Sequence, residues 1–337
     1  MNGGTIVKTS WSEKMKKKTI LTGFAVIILG IIVVMVGMNY QQQTAEGNYT
    51  IPTFPKIIGA SGPYVLATSY PVVNDSYPAY KTVTPDITDE EVKRIGILFG
   101  LSGDVQDYRP SYGISRILDN SKDPYEILKV YRNSGAIRYQ IPSKALPYST
   151  DTQPDLPSDE EAREIATKYL LERDLLPDDM HFTTVSIGSQ YEHQTQNSYT
   201  LYNLTKNVGF VKEIQGAYVY NAGITVTIGD NGEVVCVDRN LRELEPEPVR
   251  YVKIITPEQA YQRLLSNDVV RKQLSEDYNV RVITNISLGY WMEIPRDPQK
   301  YVLPVYGFSC VSIPENISNR VKQYVWAVEP SEMQYFT

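Results

Sequence analysis

Three times along this chain a hydroxyl residue is followed, three positions later, by Glu or Gln at the head of an apolar-periodic run. Thr88 and Glu91 open "TDEEVKRIGILFG", Ser158 and Glu161 open "SDEEAREIATKYLL", and Thr256 and Gln259 open "TPEQAYQRLL", with Pro257 at the first helical position. Each pattern is a capping box, in which the hydroxyl accepts from the third amide of the helix and the side chain at that position reaches back. Acidic residues in the first turns of the first two also suit the positive end of the helix dipole. Apolar residues then recur at helical spacing: Val92, Ile95 and Phe99; Ala162, Ile165, Ala166 and Tyr169; Ala260 and Leu264. Each helix therefore has one face to bury.

Strand-like stretches follow every helix. After the first come "YGISRIL" and the hairpin "EILKVYRNSGAIRYQIP", turning at Asn133-Ser134-Gly135. After the second come "HFTTVSIG", "SYTLYNLTK", "GAYVYNAG" and the hairpin "ITVTIGDNGEVVCVDR", turning around Asp230-Asn231-Gly232. After the third come "VRVITNISLGYWMEI", "KYVLPVYGFSCVSI" and "QYVWAV". Alternating β-branched and aromatic residues between Gly/Asn turns predict strands. The reading is an α+β protein of tandem helix-plus-antiparallel-sheet units, each helix covering its own sheet. The units are placed at residues 87–150, 151–250 and 251–337. The 26 Tyr, against 7 Phe and 3 Trp, fit half-buried sheet surfaces that keep the ring dry and the hydroxyl wet.

A helix opening S/T-x-E-x-A, followed by a meander with a turn such as "DNGEVV", resembles the PepSY and propeptide-type domains of exported proteins. With a single N-terminal membrane helix ahead of such units, the chain resembles extracytoplasmic regulators of the YycH/YycI type. The stretch "PEQAYQRLL…ISLGYWMEIPRDPQKYVLPVYGF" is similar to the last unit of those proteins. The resemblance spans residues 80–330, and the first unit departs from it most, with Val92 where the others carry Ala. It implies binding, inhibition or signalling partnership with another membrane protein, and it brings no site residues.

The membrane helix is read from "TILTGFAVIILGIIVVMVGM", Thr19–Met38, an uncharged run of 20 residues. A helix of that length rises about 30 Å, the thickness of the hydrocarbon core of a bilayer. Residues 1–18 form a basic tail containing Lys14, Lys16, Lys17 and Lys18, which places the N-terminus in the cytoplasm and the bulk of the chain outside it. A cleaved signal peptide is the alternative, but its apolar stretch is usually shorter and is followed by small residues at the cut. The expectation is a retained single-pass signal anchor in the cell membrane. Gly23, Gly30 and Gly37 lie along one face of that helix and suit a packing seam for a partner helix or a second copy. Residues 39–86, rich in Pro, Gly, Ser and Tyr, read as an extended stalk with one edge strand near Ala79–Val83.

Five N-x-S/T sequons, at Asn48, Asn74, Asn203, Asn285 and Asn316, are candidate glycosylation sites on an exported body. Cys236 and Cys310 both sit in strand-like runs. A disulfide between them and two buried free thiols are both compatible with the sequence. The formal net charge is −6 although the N-terminal tail is basic, so the body is more acidic than the total. That balance argues against nucleic acid, which needs clustered Lys and Arg. The expected partners are the lipid bilayer and a membrane or envelope protein, or self-association.

Little in the chain suggests catalysis. His181 and His193 are the two histidines, and both lie in polar surroundings suited to solvated side chains. No H-E-x-x-H, C-x-x-C or Gly-rich phosphate loop occurs, so no metal or cofactor is expected. "GDNGE" lacks the acidic alternation of a calcium loop and reads as a hairpin turn. The "DEE" triplets at 89–91 and 159–161 have a sufficient role in helix first turns. Tyr290, Trp291, Tyr301 and Tyr306 form an aromatic set suited to strand packing or to gripping a ligand. The leading functional reading is a non-enzymatic binding or regulatory module acting on a neighbouring envelope protein. An accessory subunit of a larger surface complex and a carboxylate-dependent hydrolase are the alternatives.

Overall fold

Each of the three capping signals starts a helix in the computed structural model, which describes residues 64–146, 152–194, 199–266, 280–313 and 320–336. The helices are α1 (Asp89–Leu98), α2 (Asp159–Leu171) and α3 (Pro257–Ser266). The reciprocal box is complete at α2, where Ser158 Oγ accepts from the Glu161 amide at 3.2 Å and the Glu161 carboxylate accepts from the Ser158 amide at 2.8 Å. It is also complete at α3, between Thr256 and Gln259, at 2.9 and 3.2 Å. At α1 only half forms: Thr88 Oγ1 accepts from the Glu91 amide at 3.3 Å, while the Glu91 carboxylate turns to Arg94 at 2.6 and 2.8 Å. A guanidinium one turn along is a stronger partner for a carboxylate than a backbone amide.

The described part begins with β1 (Tyr64–Leu66) and β2 (Ser76–Lys81). Between α1 and α2 lie β3 (Val105–Arg109), β4 (Ile114–Asp119), β5 (Glu126–Tyr131) and β6 (Ala136–Gln140). After α2 come β7 (Met180–Ile187), a separate hairpin of β8 (Gln190–Gln194) and β9 (Tyr199–Asn203), then β10 (Lys206–Ile214), β11 (Ala217–Ile228) and β12 (Val234–Asn240). β13 (Arg250–Lys253) precedes α3, and β14 (Val280–Trp291), β15 (Tyr301–Ile313) and β16 (Arg320–Trp326) follow it.

These strands correct the tandem architecture. The fold is mostly β, and strands from all three expected units join one mixed sheet of 14 strands. β6 pairs with β12 from Gln140↔Cys236 to Ile137↔Arg239, which fuses the first two units into an antiparallel sheet ordered β3-β4-β5-β6-β12-β11-β10-β7. α1 and α2 roof the same face of that sheet and share one core, in which Val92, Ile95, Ala162, Ala166 and Leu170 pack with Ile117, Leu128, Ile224, Val226 and Val237. The physical reason is that each meander ends in a strand with an unpaired edge, and joining the two edges satisfies both rows of backbone groups. α3 instead packs on β14, β15 and β1, with Tyr261 and Leu264 against Ile283, Tyr306 and Phe308.

The sheet parts meet where β11 runs parallel to β14 at Val219↔Tyr290 and Tyr220↔Trp291. Two glycines make that approach possible. A Cβ at Gly289 would lie 2.4 Å from the Tyr218 carbonyl oxygen, and one at Gly307 would lie 2.8 Å from the Tyr220 hydroxyl. The Tyr220 ring fills the slot, with its hydroxyl 2.7 Å from Ser287 Oγ.

Two further expectations change. β2 is not an edge strand of a stalk: it is held between β13 and β15, and Ala79 and Tyr80 are buried. The N-terminal membrane helix, with the single-pass signal anchor and the cell-membrane placement drawn from it, is also corrected. Among the described residues no helix is long and apolar enough to cross a membrane. The run Thr19–Met38 with Gly23, Gly30 and Gly37, the tail 1–18, the first part of the stalk, and Asn48 and Asn316 lie outside the described residues.

Candidate functional site

Among the described residues, α1 and α2 cover one face of the antiparallel sheet that runs from β3 to β7. Strand alternation sends Ile117, Leu128, Ile137 and Val237 into the core and their neighbours to the opposite face. On that open face one row runs across the strands: Gln106↔Arg116, Arg116↔Lys129, Lys129↔Arg138, Arg138↔Asp238 and Asp238↔Thr225. Three cations thus stand side by side in adjacent strands, about 4.8 Å apart. Arg138 Nε lies 3.5 Å from Asp238 Oδ1. Burial pushes the Asp238 carboxyl above its ordinary range, against the pull of Arg138. Arg116 donates to Gln106 Oε1 at 2.6 Å. Its guanidinium lies 4.6 Å from the Tyr108 ring centre, with Arg109 at 5.3 Å and Lys129 at 5.4 Å from the same ring. Among the described residues, neither Arg109 nor Lys129 has an ion pair. The sequence signal was present, because "ISRILD", "EILKVY" and "AIRYQ" each carry a lone cation inside a strand.

A second feature is a cleft of about 800 Å³. It opens where the segment after β2, the Ser134–Gly135 turn, residues 177–179, the end of β10 and the segment Arg239–Pro246 converge. Tyr80, Val83, Ile87, Ile214, Leu241 and Leu244 supply apolar walls. Two of its carboxylates are paired with lysine, Asp179 with Lys212 and Glu245 with Lys81 at 2.5 Å, and Glu213 Oε2 lies 3.8 Å from His181 Nε2, an ion pair only when that imidazole is protonated.

Two arginines of this cleft went unrecognised in the sequence. Arg242 is 3% exposed and donates to the Asn133, Ile294 and Asp297 carbonyls at 3.2, 3.1 and 2.6 Å. It ties the β5–β6 turn to the loop between β14 and β15. Arg239 stands in register with Ile137 and Ile224, on the helix-covered side of the sheet. Its Nε is buried without a hydrogen-bond partner, and among the described residues its guanidinium has no ion pair. Burial pushes its pKa down, and the more distant Asp174 and Asp179 oppose that shift. The available signal was its position two residues after Val237, in phase with the core.

The residues singled out from sequence do not converge. His181 is 56% exposed along its side chain, and His193 is half-buried in β8. Tyr290 and Tyr306 are core residues at 1% and 0% exposure, the latter donating to the Ile255 carbonyl at 2.8 Å. Trp291 packs on Tyr324 and Tyr301 on Phe336, so the aromatic set forms no common platform. Cys236 and Cys310 are both free and buried, one of the two arrangements compatible with the sequence. Burial pushes their thiols up to about 12 and about 11. Asn74 and Asn285 are exposed, and Asn203 is half-buried, accepting from Gln190 at 2.8 Å. Carboxylates of the "DEE" triplets are engaged locally: Asp89 with Arg132, Glu91 with Arg94, Asp159 with Lys206 and Glu161 in its box. Among the described residues no group of His, Cys, Asp or Glu could hold a metal ion.

No family model matches the chain, and no curated protein matches it. Among solved structures it is similar to an uncharacterized protein from Eubacterium rectale, with a TM-score of 0.44 and 12% identity, over 78% of this chain and 86% of that one.

Proposed function

We propose that this protein is a non-enzymatic binding or regulatory module that engages another protein through the open face of its antiparallel sheet. The observation that carries the reading is the row Arg116–Lys129–Arg138 in three adjacent strands. Like charges directly opposite one another in a sheet are destabilising. A chain of net charge −6 has ample carboxylates, yet one of them, Asp238, serves this row in register. A partner segment rich in Asp or Glu would complete the balance, with Tyr108 as an amphipathic anchor beside the cations.

A photo-crosslinking side chain placed at Tyr108 tests this, with Thr167 on α2 as the control position. The expected result is an adduct with one protein from Tyr108 that is absent from Thr167 and is suppressed at least ten-fold by Lys129→Glu or by raised salt. An identical adduct pattern from both positions, or one indifferent to Lys129→Glu, would overturn the reading.

A further inference from the structure

An arginine whose backbone register points it into a core is costly to keep. Taking a guanidinium out of water without a counter-charge leaves its solvation unreplaced. Other charged groups at this cleft are held: three carbonyls accept from the Arg242 side chain, although its Nε, like that of Arg239, has no partner, and Lys212 is paired with Asp179. Arg239 has neither arrangement. It stands beside Ile137 and Ile224, lines the cleft of about 800 Å³, and makes no hydrogen bond or ion pair among the described residues.

We infer that the cleft is a binding site for a small organic carboxylate, whose anionic end pairs with the Arg239 guanidinium and whose apolar body lies along Val83, Ile87, Ile214 and Leu244. The planar fork of arginine matches a carboxylate in two parallel hydrogen bonds. The volume falls within the range of small-molecule sites, and such sites combine apolar walls with few polar anchors. The rim selects for a single negative charge. Asp178 and Glu243 line the cleft without an ion pair among the described residues, and they would repel a multiply charged phosphate. Lys212 and Lys81 are already committed to Asp179 and Glu245, which leaves Arg239 as the available cation. The inference stands on the cleft and not on the open sheet face, so the two readings fail independently.

Titration of the full chain with octanoate, octanamide and octyl phosphate, followed by calorimetry and thermal unfolding, tests it. Octanoate is expected to bind saturably and to raise Tm, with octanamide and octyl phosphate at least ten-fold weaker. Arg239→Gln should remove the preference for octanoate over octanamide. Arg239→Met should do the same. Equal binding of octanoate and octanamide, or no saturable octanoate binding, would overturn the proposal. So would undiminished octanoate binding by Arg239→Met. Tighter binding of octyl phosphate than octanoate would overturn the assignment to a carboxylate.

Discussion

Asp119 shows how one side chain organises two loops. Its Oδ2 accepts from the Ser102 amide and hydroxyl at 2.9 and 3.1 Å, and its Oδ1 accepts from the Ser121 amide and hydroxyl at 3.0 and 2.6 Å. These bonds, led by the Ser121 hydroxyl and the Ser102 amide, lower its pKa from 3.8 to about 2. A carboxyl with a depressed folded-state pKa contributes stability above its unfolded pKa, and that contribution is lost as pH falls through the folded value. Asp119→Asn should therefore lower Tm at pH 7. The gap to the native protein should narrow between about pH 4 and pH 2. Thermal unfolding across that window checks it, and a gap independent of pH would show that the charge is not what holds the loops. Asp119 did not stand out in the sequence, because its partners lie on either side of strands whose pairing is not written locally.

At the scale of elements, local signals were the readable ones. A capping box is a local signal within one turn, and Ser158, Thr256 and Thr88 each accept the expected amide bond. The exception is instructive: Arg94, one turn into α1, takes the Glu91 carboxylate that the pattern assigns to the cap. Ser158→Ala removes the bond from the Glu161 amide and should cost about 0.5–2 kcal/mol, and adding Glu161→Ala removes the reciprocal bond to the Ser158 amide and should cost more. Denaturant titration of Ser158→Ala with and without Glu161→Ala checks this, and no added cost in the double variant would argue that the second half of the box adds nothing. What the sequence hid was which strand edges meet. Gln140 and Cys236 pair across separate hairpins, and no turn or periodicity records that registry. The same blindness hid Arg239, whose side is fixed by β12 pairing with Ile137 and Ile224. The cations of the open face were visible singly, and only the register of β4, β5 and β6 aligns them.

At the scale of the whole molecule, the strand pairing between the sheet parts is short, although a shared core of Tyr80, Tyr290 and Met292 with Val219 reinforces it. β11 and β14 share two residue pairs, Tyr220 sits in a slot made by Gly289 and Gly307, and Arg242 bridges two loops nearby. Gly289→Ala would place a Cβ 2.4 Å from a backbone oxygen that cannot rotate away. It should destabilise the fold by about 1–3 kcal/mol. Hydrogen exchange should show the added opening at Val219–Tyr220 and Tyr290–Trp291 rather than across β4 and β5. Uniform loss of protection would instead mean that the sheet opens as one.

The long-range pairing of the first strands carries a cost in time. Tyr64 pairs with Arg281, and Ala79 with Arg250, so β1 and β2 wait for partners that emerge far later in the chain. At ordinary ribosomal speed that wait is on the order of ten to forty seconds. Throughout it the nascent chain carries two orphan β segments, "YVL" and "SYPAYK". The Pro78 within the second removes one amide from any mistaken pairing and so acts as a gatekeeper during synthesis.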